Sequence, residues 1–222
     1  MIRPSLLLWD WDNTLVDGWF SIAAALNAAF TAFDMPHWTV EETRERAVLS
    51  LRDVFPGLFG DDWQRAREIF YARYNDDHLD NVRPMPGALD ALDAGRAWPQ
   101  GVVSNKTGKF LRAEVAHLGW SPLFGVVIGA GDAEADKPSP APILLALSQL
   151  NAKATPSIWY LGDTANDMMA ARAAGVTAVF VGDASHDGGV GRASADIHFE
   201  HAHGLAARLR ALAQESAAAK MR

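Results

Sequence analysis

The stretch Leu6-Leu7-Leu8-Trp9-Asp10-Trp11-Asp12-Asn13-Thr14-Leu15-Val16-Asp17 passes abruptly from apolar to acidic. Leu6 to Trp9 is a short apolar run opening just after Pro4, with no alternation of polar and apolar residues. That pattern suits a strand buried on both faces of a parallel sheet. Asp10 and Asp12 then stand at its end. If the chain stays extended, the two-residue side-chain period puts both acids on one side; a turn after Asp10 swings Asp12 over it instead. In either arrangement the carboxylates are close. At roughly 5 Å and an effective dielectric of about 20 they repel by about 3 kcal/mol, which calls for a compensating cation or proton.

At 222 residues the chain is long enough for a well-buried core, and could hold one domain or a core with a smaller insert. Hydrophobic residues at 49% and charged residues at 21% place it among ordinary soluble globular proteins. No apolar run approaches membrane-spanning length, and Leu6 to Trp9 is too short for a signal-peptide core. The absence of cysteine excludes disulfides and thiolate sites and fits a reducing compartment, so the expected location is cytoplasmic. A formal net charge of −7 argues against nucleic acid as a partner, since a phosphate backbone needs a basic face. A small phosphorylated metabolite is not excluded, because one lysine and a divalent cation reverse the potential inside a cleft. The oligomeric state is left open between monomer and homodimer.

Beyond Asp17 the chain reads as helical to about Arg83. Gly18 to Phe33 is rich in Ala and aromatics, Thr39 to about Leu51 opens with a Thr39/Glu42 capping box, and Asp61 to about Asp80 carries apolar residues at helical spacing. The prolines of Val82-Arg83-Pro84-Met85-Pro86-Gly87 mark a hinge. From there strands and helices alternate. Strands are expected at 101–103, 125–128, 158–161, 176–181 and about 195–199, with helices at 87–94, 108–118, 140–150, 165–174 and about 204–215. Repeated β-α units predict a doubly wound, Rossmann-like parallel sheet, formed by residues 1–16 and 84–222, with an all-helical insert at 17–83. In such sheets ligands bind beyond the carboxyl ends of the strands. Asp10, Asp12, Ser104, Asn105, Lys137, Asp163 and Asp167 all fall in that position and should face one crevice.

Four motifs occur in order: Asp10-Trp11-Asp12-Asn13-Thr14-Leu15, Val102-Val103-Ser104-Asn105, Lys137-Pro138, and Gly162-Asp163-Thr164-Ala165-Asn166-Asp167. On these the chain resembles the haloacid dehalogenase superfamily of phosphohydrolases, in particular the phosphoglycolate phosphatase-like group with a helical cap. Asn13 departs from the glycine common in the first motif, though asparagine tolerates left-handed backbone well. The resemblance implies a Mg²⁺-dependent phosphatase of small phosphomonoesters. Asp10 would be the nucleophile that forms an aspartyl-phosphate, and Asp12 the general acid and base. Asp10, the Asp12 backbone carbonyl and Asp163 would hold the cation, with Asp167 a direct ligand or one acting through water. Lys137, Ser104 and the N–H groups of Trp11 and Asp12 would bind the transferring phosphoryl group, with Thr14 and Asn105 supporting the loops.

Asp167 lies three residues after Thr164 and is expected to cap that helix as well. Arg52 either meets a second anionic group of the substrate or pairs with a nearby acid, and Lys106 has the same two readings. His198, His201 and His203 with Glu200 fit no common zinc spacing and read as a solvated loop. Gly182 to Gly191 lacks a Gly-Lys-Ser/Thr ending and reads as a loop. Trp19, Trp38 and Trp63 are expected to pack. The alternative activity is a sugar-phosphate mutase on the same scaffold, and the alternative outside enzymology is a binding or regulatory module.

Overall fold

The computed structural model describes residues 2–46, 51–183 and 190–220. Its strands are β1 (Leu6–Trp9), β2 (Val16–Asp17), β3 (Arg83–Pro84), β4 (Gln100–Thr107), β5 (Val126–Ala130), β6 (Ile158–Gly162), β7 (Thr177–Val181) and β8 (Ile197–Phe199). Six of them make one sheet in the order β5-β4-β1-β6-β7-β8, while β2 and β3 form a separate pair. All five pairings of the main sheet are parallel. Helices connect the strands, so the fold is the expected doubly wound, Rossmann-like parallel sheet.

The central position of β1 follows from its composition. All four residues are buried, and both edges are occupied, with Leu8 aligned to Gly101 on one side and to Tyr160 on the other. A strand without polar residues can occupy only such a place. One apolar layer collects Leu8, Val103, Ile128, Ile143, Tyr160, Met168 and Phe180. Because strand order reverses across β1, the carboxyl ends of β4, β1 and β6 open on the crevice where ligands bind in such sheets.

The chain divides into two compact units, one of Met1–Val16 with Pro84–Arg222 and one of Asp17–Arg83. The second contains helices Trp19–Ala32, Val40–Arg46, Leu51–Phe59 and Trp63–Asn81. The Thr39 capping box forms as expected: Thr39 Oγ1 accepts the Glu42 N–H at 3.0 Å, and Glu42 Oε2 accepts the Thr39 N–H at 2.9 Å. Residues 47–50 lie outside the described residues. The helix Leu51–Phe59 falls within the span that reads as helical but between the helices whose bounds the sequence marks, and it contains Pro56. It forms because Phe55 and Phe59 are buried in an aromatic cluster with Phe30, Phe33 and Phe70. Trp38 packs edge-on against Phe30 at 4.9 Å and Trp19 is buried, in keeping with packing roles.

Element bounds in the first unit shift by a few residues from those expected. The largest differences are β4, which continues to Thr107, and the last helix, Ala202–Lys220. A short helix, Val190–Ala193, occupies the end of the glycine-rich stretch, of which residues 184–189 lie outside the described residues. Among the described residues no helix is long and apolar enough to cross a membrane.

Leu8 is fully buried whereas Leu144 is 43% exposed. Leu8→Ala is expected to destabilise the protein by about 2–5 kcal/mol in urea unfolding. Leu144→Ala should shift it by less than about 0.5 kcal/mol.

Candidate active site

The backbone first decides how the two leading acids are displayed. The Asp10 N–H donates to Leu161 O at 2.8 Å, so the chain is still laddered to β6 there. It then turns: the N–H groups of Leu15 and Val16 both donate to Trp11 O, at 2.9 and 3.0 Å, and Asn13 takes the left-handed conformation at φ 63°. Asparagine accepts that conformation with little strain, which accounts for its place where glycine is more usual.

Asp10, Asp163 and Asp167 converge. Each offers a carboxylate oxygen within 4.8 Å of the others, and all three residues are buried. Thr14 Oγ1 donates to Asp163 Oδ1 at 2.8 Å, steadying that acid from the loop after β1. Asp167 divides its oxygens. Oδ2 accepts the Thr164 N–H at 3.0 Å in the expected capping box, while Oδ1 faces Lys137. Gly162 permits this approach, since a Cβ there would lie 2.5 Å from Asp167 Cγ.

Lys137 joins the cluster from the loop after β5. Its Nζ donates to Asp10 Oδ1 at 2.6 Å, Asp167 Oδ1 at 2.7 Å and Tyr160 Oη at 2.9 Å. Asn105 holds the loop itself: its side-chain amide donates to Lys137 O and accepts the Lys137 N–H, both at 2.9 Å. Ser104, expected just after a strand, is buried within β4, which runs on to Thr107; its Oγ accepts the Lys106 N–H at 3.2 Å.

Burial pushes the Asp10 carboxyl up to about 8, with Asp167 and Asp163 adding to the rise and Lys137 opposing it. Burial works against the Lys137 ammonium too, but Asp10 and Asp167 outweigh it and hold that group well above its usual value. With all three carboxyls ionised, one ammonium would leave two negative charges in a buried space, and the raised Asp10 value reflects that surplus. A hard divalent cation with oxygen ligands matches both the donor set and that charge.

Asp12, expected close to Asp10 and as a backbone ligand, is not one of the three converging carboxylates. Its Oδ1 accepts from Lys106 Nζ at 2.7 Å, and Lys106 also donates to Glu114 Oε2 at 2.6 Å. The anticipated repulsion between the two leading acids is therefore answered by two lysines, one at each carboxylate. The demand for a metal arises where Asp10 meets Asp163 and Asp167 rather than between Asp10 and Asp12. Burial raises the Asp12 carboxyl, and Lys106 opposes the rise.

Glu114 and Tyr160 were missed in the sequence. Glu114 looked like an ordinary polar residue of a helix and Tyr160 like a core residue of a strand; only their long-range partners distinguish them. The side chain of Arg52 lies outside the described residues. His198 hydrogen-bonds to Gly182 O at 2.7 Å, and His203 lies 3.9 Å from Asp90; neither belongs to the carboxylate group.

Residues 7–181 match the family model described as haloacid dehalogenase-like hydrolase. The chain belongs to that family. It is therefore a hydrolytic enzyme, and its curated relatives include phosphatases. It is 31% identical over 210 residues to a phosphoglycolate phosphatase of Xylella fastidiosa, covering 90% of each chain. It is 28% identical over 190 residues to one from Yersinia pestis, covering 75% of this chain and 76% of that one. A haloacid dehalogenase-like hydrolase from Streptococcus pneumoniae shares the fold with a TM-score of 0.82 at 19% identity, covering 92% of this chain and 98% of that one.

The raised Asp10 carboxyl gives a testable pH dependence. Its folded-state value lies above the ordinary carboxylate value, so its contribution to stability is complete below about pH 4 and is lost as pH rises through about 8. In chelator-treated protein, Asp10→Asn should match wild type near the acid end and become progressively the more stable of the two toward the alkaline end. Thermal midpoints of both proteins across that range measure it.

Proposed function

We propose that this enzyme is a Mg²⁺-dependent phosphatase of small phosphomonoesters, acting through an aspartyl-phosphate on Asp10. Phosphoglycolate-like acids are the first substrates to try, as the names of the curated relatives suggest. The observation that carries the reading is the placement of Lys137 between Asp10 and Asp167, whose carboxylates cluster with that of Asp163. A lysine so held can meet the phosphoryl oxygens at the nucleophile itself.

In this account Asp10 attacks phosphorus in line and the ester oxygen leaves, which splits hydrolysis into two easier steps. Asp12 protonates the departing oxygen and then takes a proton from the water that attacks the aspartyl-phosphate. Lys137 and Ser104, with the N–H groups of Trp11 and Asp12, neutralise and orient the phosphoryl oxygens. Asp10, Asp163, Asp167 and the Asp12 carbonyl are the groups that would hold Mg²⁺. When bound, the cation lets an anionic nucleophile approach an anionic phosphate. The helical unit Asp17–Arg83 serves as a cap that excludes water, with Arg52 available for a second anionic group of the substrate.

A screen of phosphorylated metabolites with Mg²⁺, read as released phosphate, is the direct test. Turnover should stop on chelation and return when Mg²⁺ is restored. Asp10→Asn should reduce phosphate release to background in a folded protein; near-normal turnover would remove Asp10 from the nucleophile role. Conversion of glucose 1-phosphate to glucose 6-phosphate without free phosphate would replace hydrolysis by mutase chemistry.

A further inference from the structure

The phosphatase reading uses Asp12 but leaves unexplained the buried charges that lie behind it. Glu114, on helix Gly108–His117, is 1% exposed. Its Oε2 accepts from two donors, the Trp11 indole N–H at 2.7 Å, far away in the chain, and Lys106 Nζ at 2.6 Å, on the preceding strand. Lys106, with a side chain 7% exposed, passes the chain of contacts to Asp12 Oδ1 at 2.7 Å. Trp11 is fully buried and meets Trp120 edge-on at 5.6 Å, so the residue between the two acids is fixed in the core.

A buried glutamate and lysine lose much hydration, and a pair of this kind is often no more stabilising than apolar residues of the same size. General stability is therefore a weak reason for it. Its geometry supplies a better one. Asp12 stands in a turn, where a short side chain would otherwise sample several rotamers. A charge-assisted bond from a lysine that is itself tied to the helix restricts the carboxylate to one orientation. Trp11 ties the adjoining backbone to the same glutamate.

We propose that Glu114 and Lys106 are positioning residues for Asp12, holding its carboxylate where it can deliver a proton to the leaving ester oxygen. The proposal rests on the phosphatase reading and deepens it. Neither residue needs to touch the phosphoryl group. Their effect should appear only where the leaving group needs a proton.

The test compares two esters by kcat/KM, which reports the steps up to departure of the alcohol. 2-Phosphoglycolate releases a strongly basic alkoxide unless protonated, whereas p-nitrophenyl phosphate releases a stable phenolate. Glu114→Gln keeps the side-chain length and an acceptor for the Trp11 indole; Lys106→Met removes the ammonium from the other side. For each variant, kcat/KM on 2-phosphoglycolate should fall about tenfold or more while p-nitrophenyl phosphate stays within about twofold, because general acid catalysis is worth about 10²–10⁴ in rate. Circular dichroism and the thermal midpoint establish folding. Equal losses on both esters would make the pair structural and overturn the proposal, as would no loss on 2-phosphoglycolate or failure of both variants to fold. Absence of wild-type turnover on either ester would instead count against the phosphatase reading.

Discussion

The Lys137 ammonium lies 2.6 Å from Asp10 and 2.7 Å from Asp167, with 4% of its side chain exposed. The rest of the site depends on this contact. Three buried carboxylates within 4.8 Å of one another repel in a medium of reduced dielectric, and an uncompensated set would protonate or push apart. Lys137 answers part of that charge; with all three carboxyls ionised, two negative charges would be left for a divalent cation. The lysine also needs support, which comes from Tyr160 at its tip and Asn105 at its backbone. Tyr160 Oη in turn donates to Val103 O at 2.8 Å, so the ammonium is fastened to two strands of the sheet.

The convergence itself is a property of topology. β1 lies between β4 and β6; Asp10 and Asp163 stand just beyond β1 and β6, and Ser104 and Asn105 lie in the carboxyl-terminal half of β4. The chain separates Asp10 from Asp163 by most of its length, yet the parallel register sets Trp9 beside both Val102 and Leu161. Parallel alignment brings the carboxyl ends of all three strands to one edge, as strand order reverses there. In an antiparallel arrangement the same residues would have pointed to opposite edges.

Asp10 and Asp163 were legible because each stands directly after an apolar run, and Asp167 and Lys137 because they follow such runs at a short remove, places that short-range pattern marks. The left-handed Asn13 and the Thr164 cap were legible for the same reason, since both depend on local backbone. Glu114 was not. Its partner Trp11 is far away in the chain and Lys106 lies on the preceding strand, and in sequence nothing separates Glu114 from a solvated acid such as Asp132 in the loop after β5, which pairs with the half-exposed Arg112. The Leu51–Phe59 helix lies within a span that reads as helical, but no short-range signal marks its bounds; its Phe55 and Phe59 are buried in the aromatic cluster of the helical unit.

The sequence also misplaced the source of the charge problem. Asp10 and Asp12 are two residues apart, so their mutual repulsion looked dominant. The folded chain instead sets each acid against its own lysine, and each lysine against a further buried carboxylate: Asp10 with Lys137 and Asp167, Asp12 with Lys106 and Glu114. The two arrangements are alike in charge but differ in surroundings. The first adds Asp163 and carries the surplus negative charge that a cation can neutralise. The second ends on the Trp11 indole and the core. One backbone segment, Asp10-Trp11-Asp12, thus links a group built to gather charge with a group built to hold direction. Phosphoryl transfer demands both, since it depends on neutralised charge at phosphorus and on a proton delivered from a fixed position.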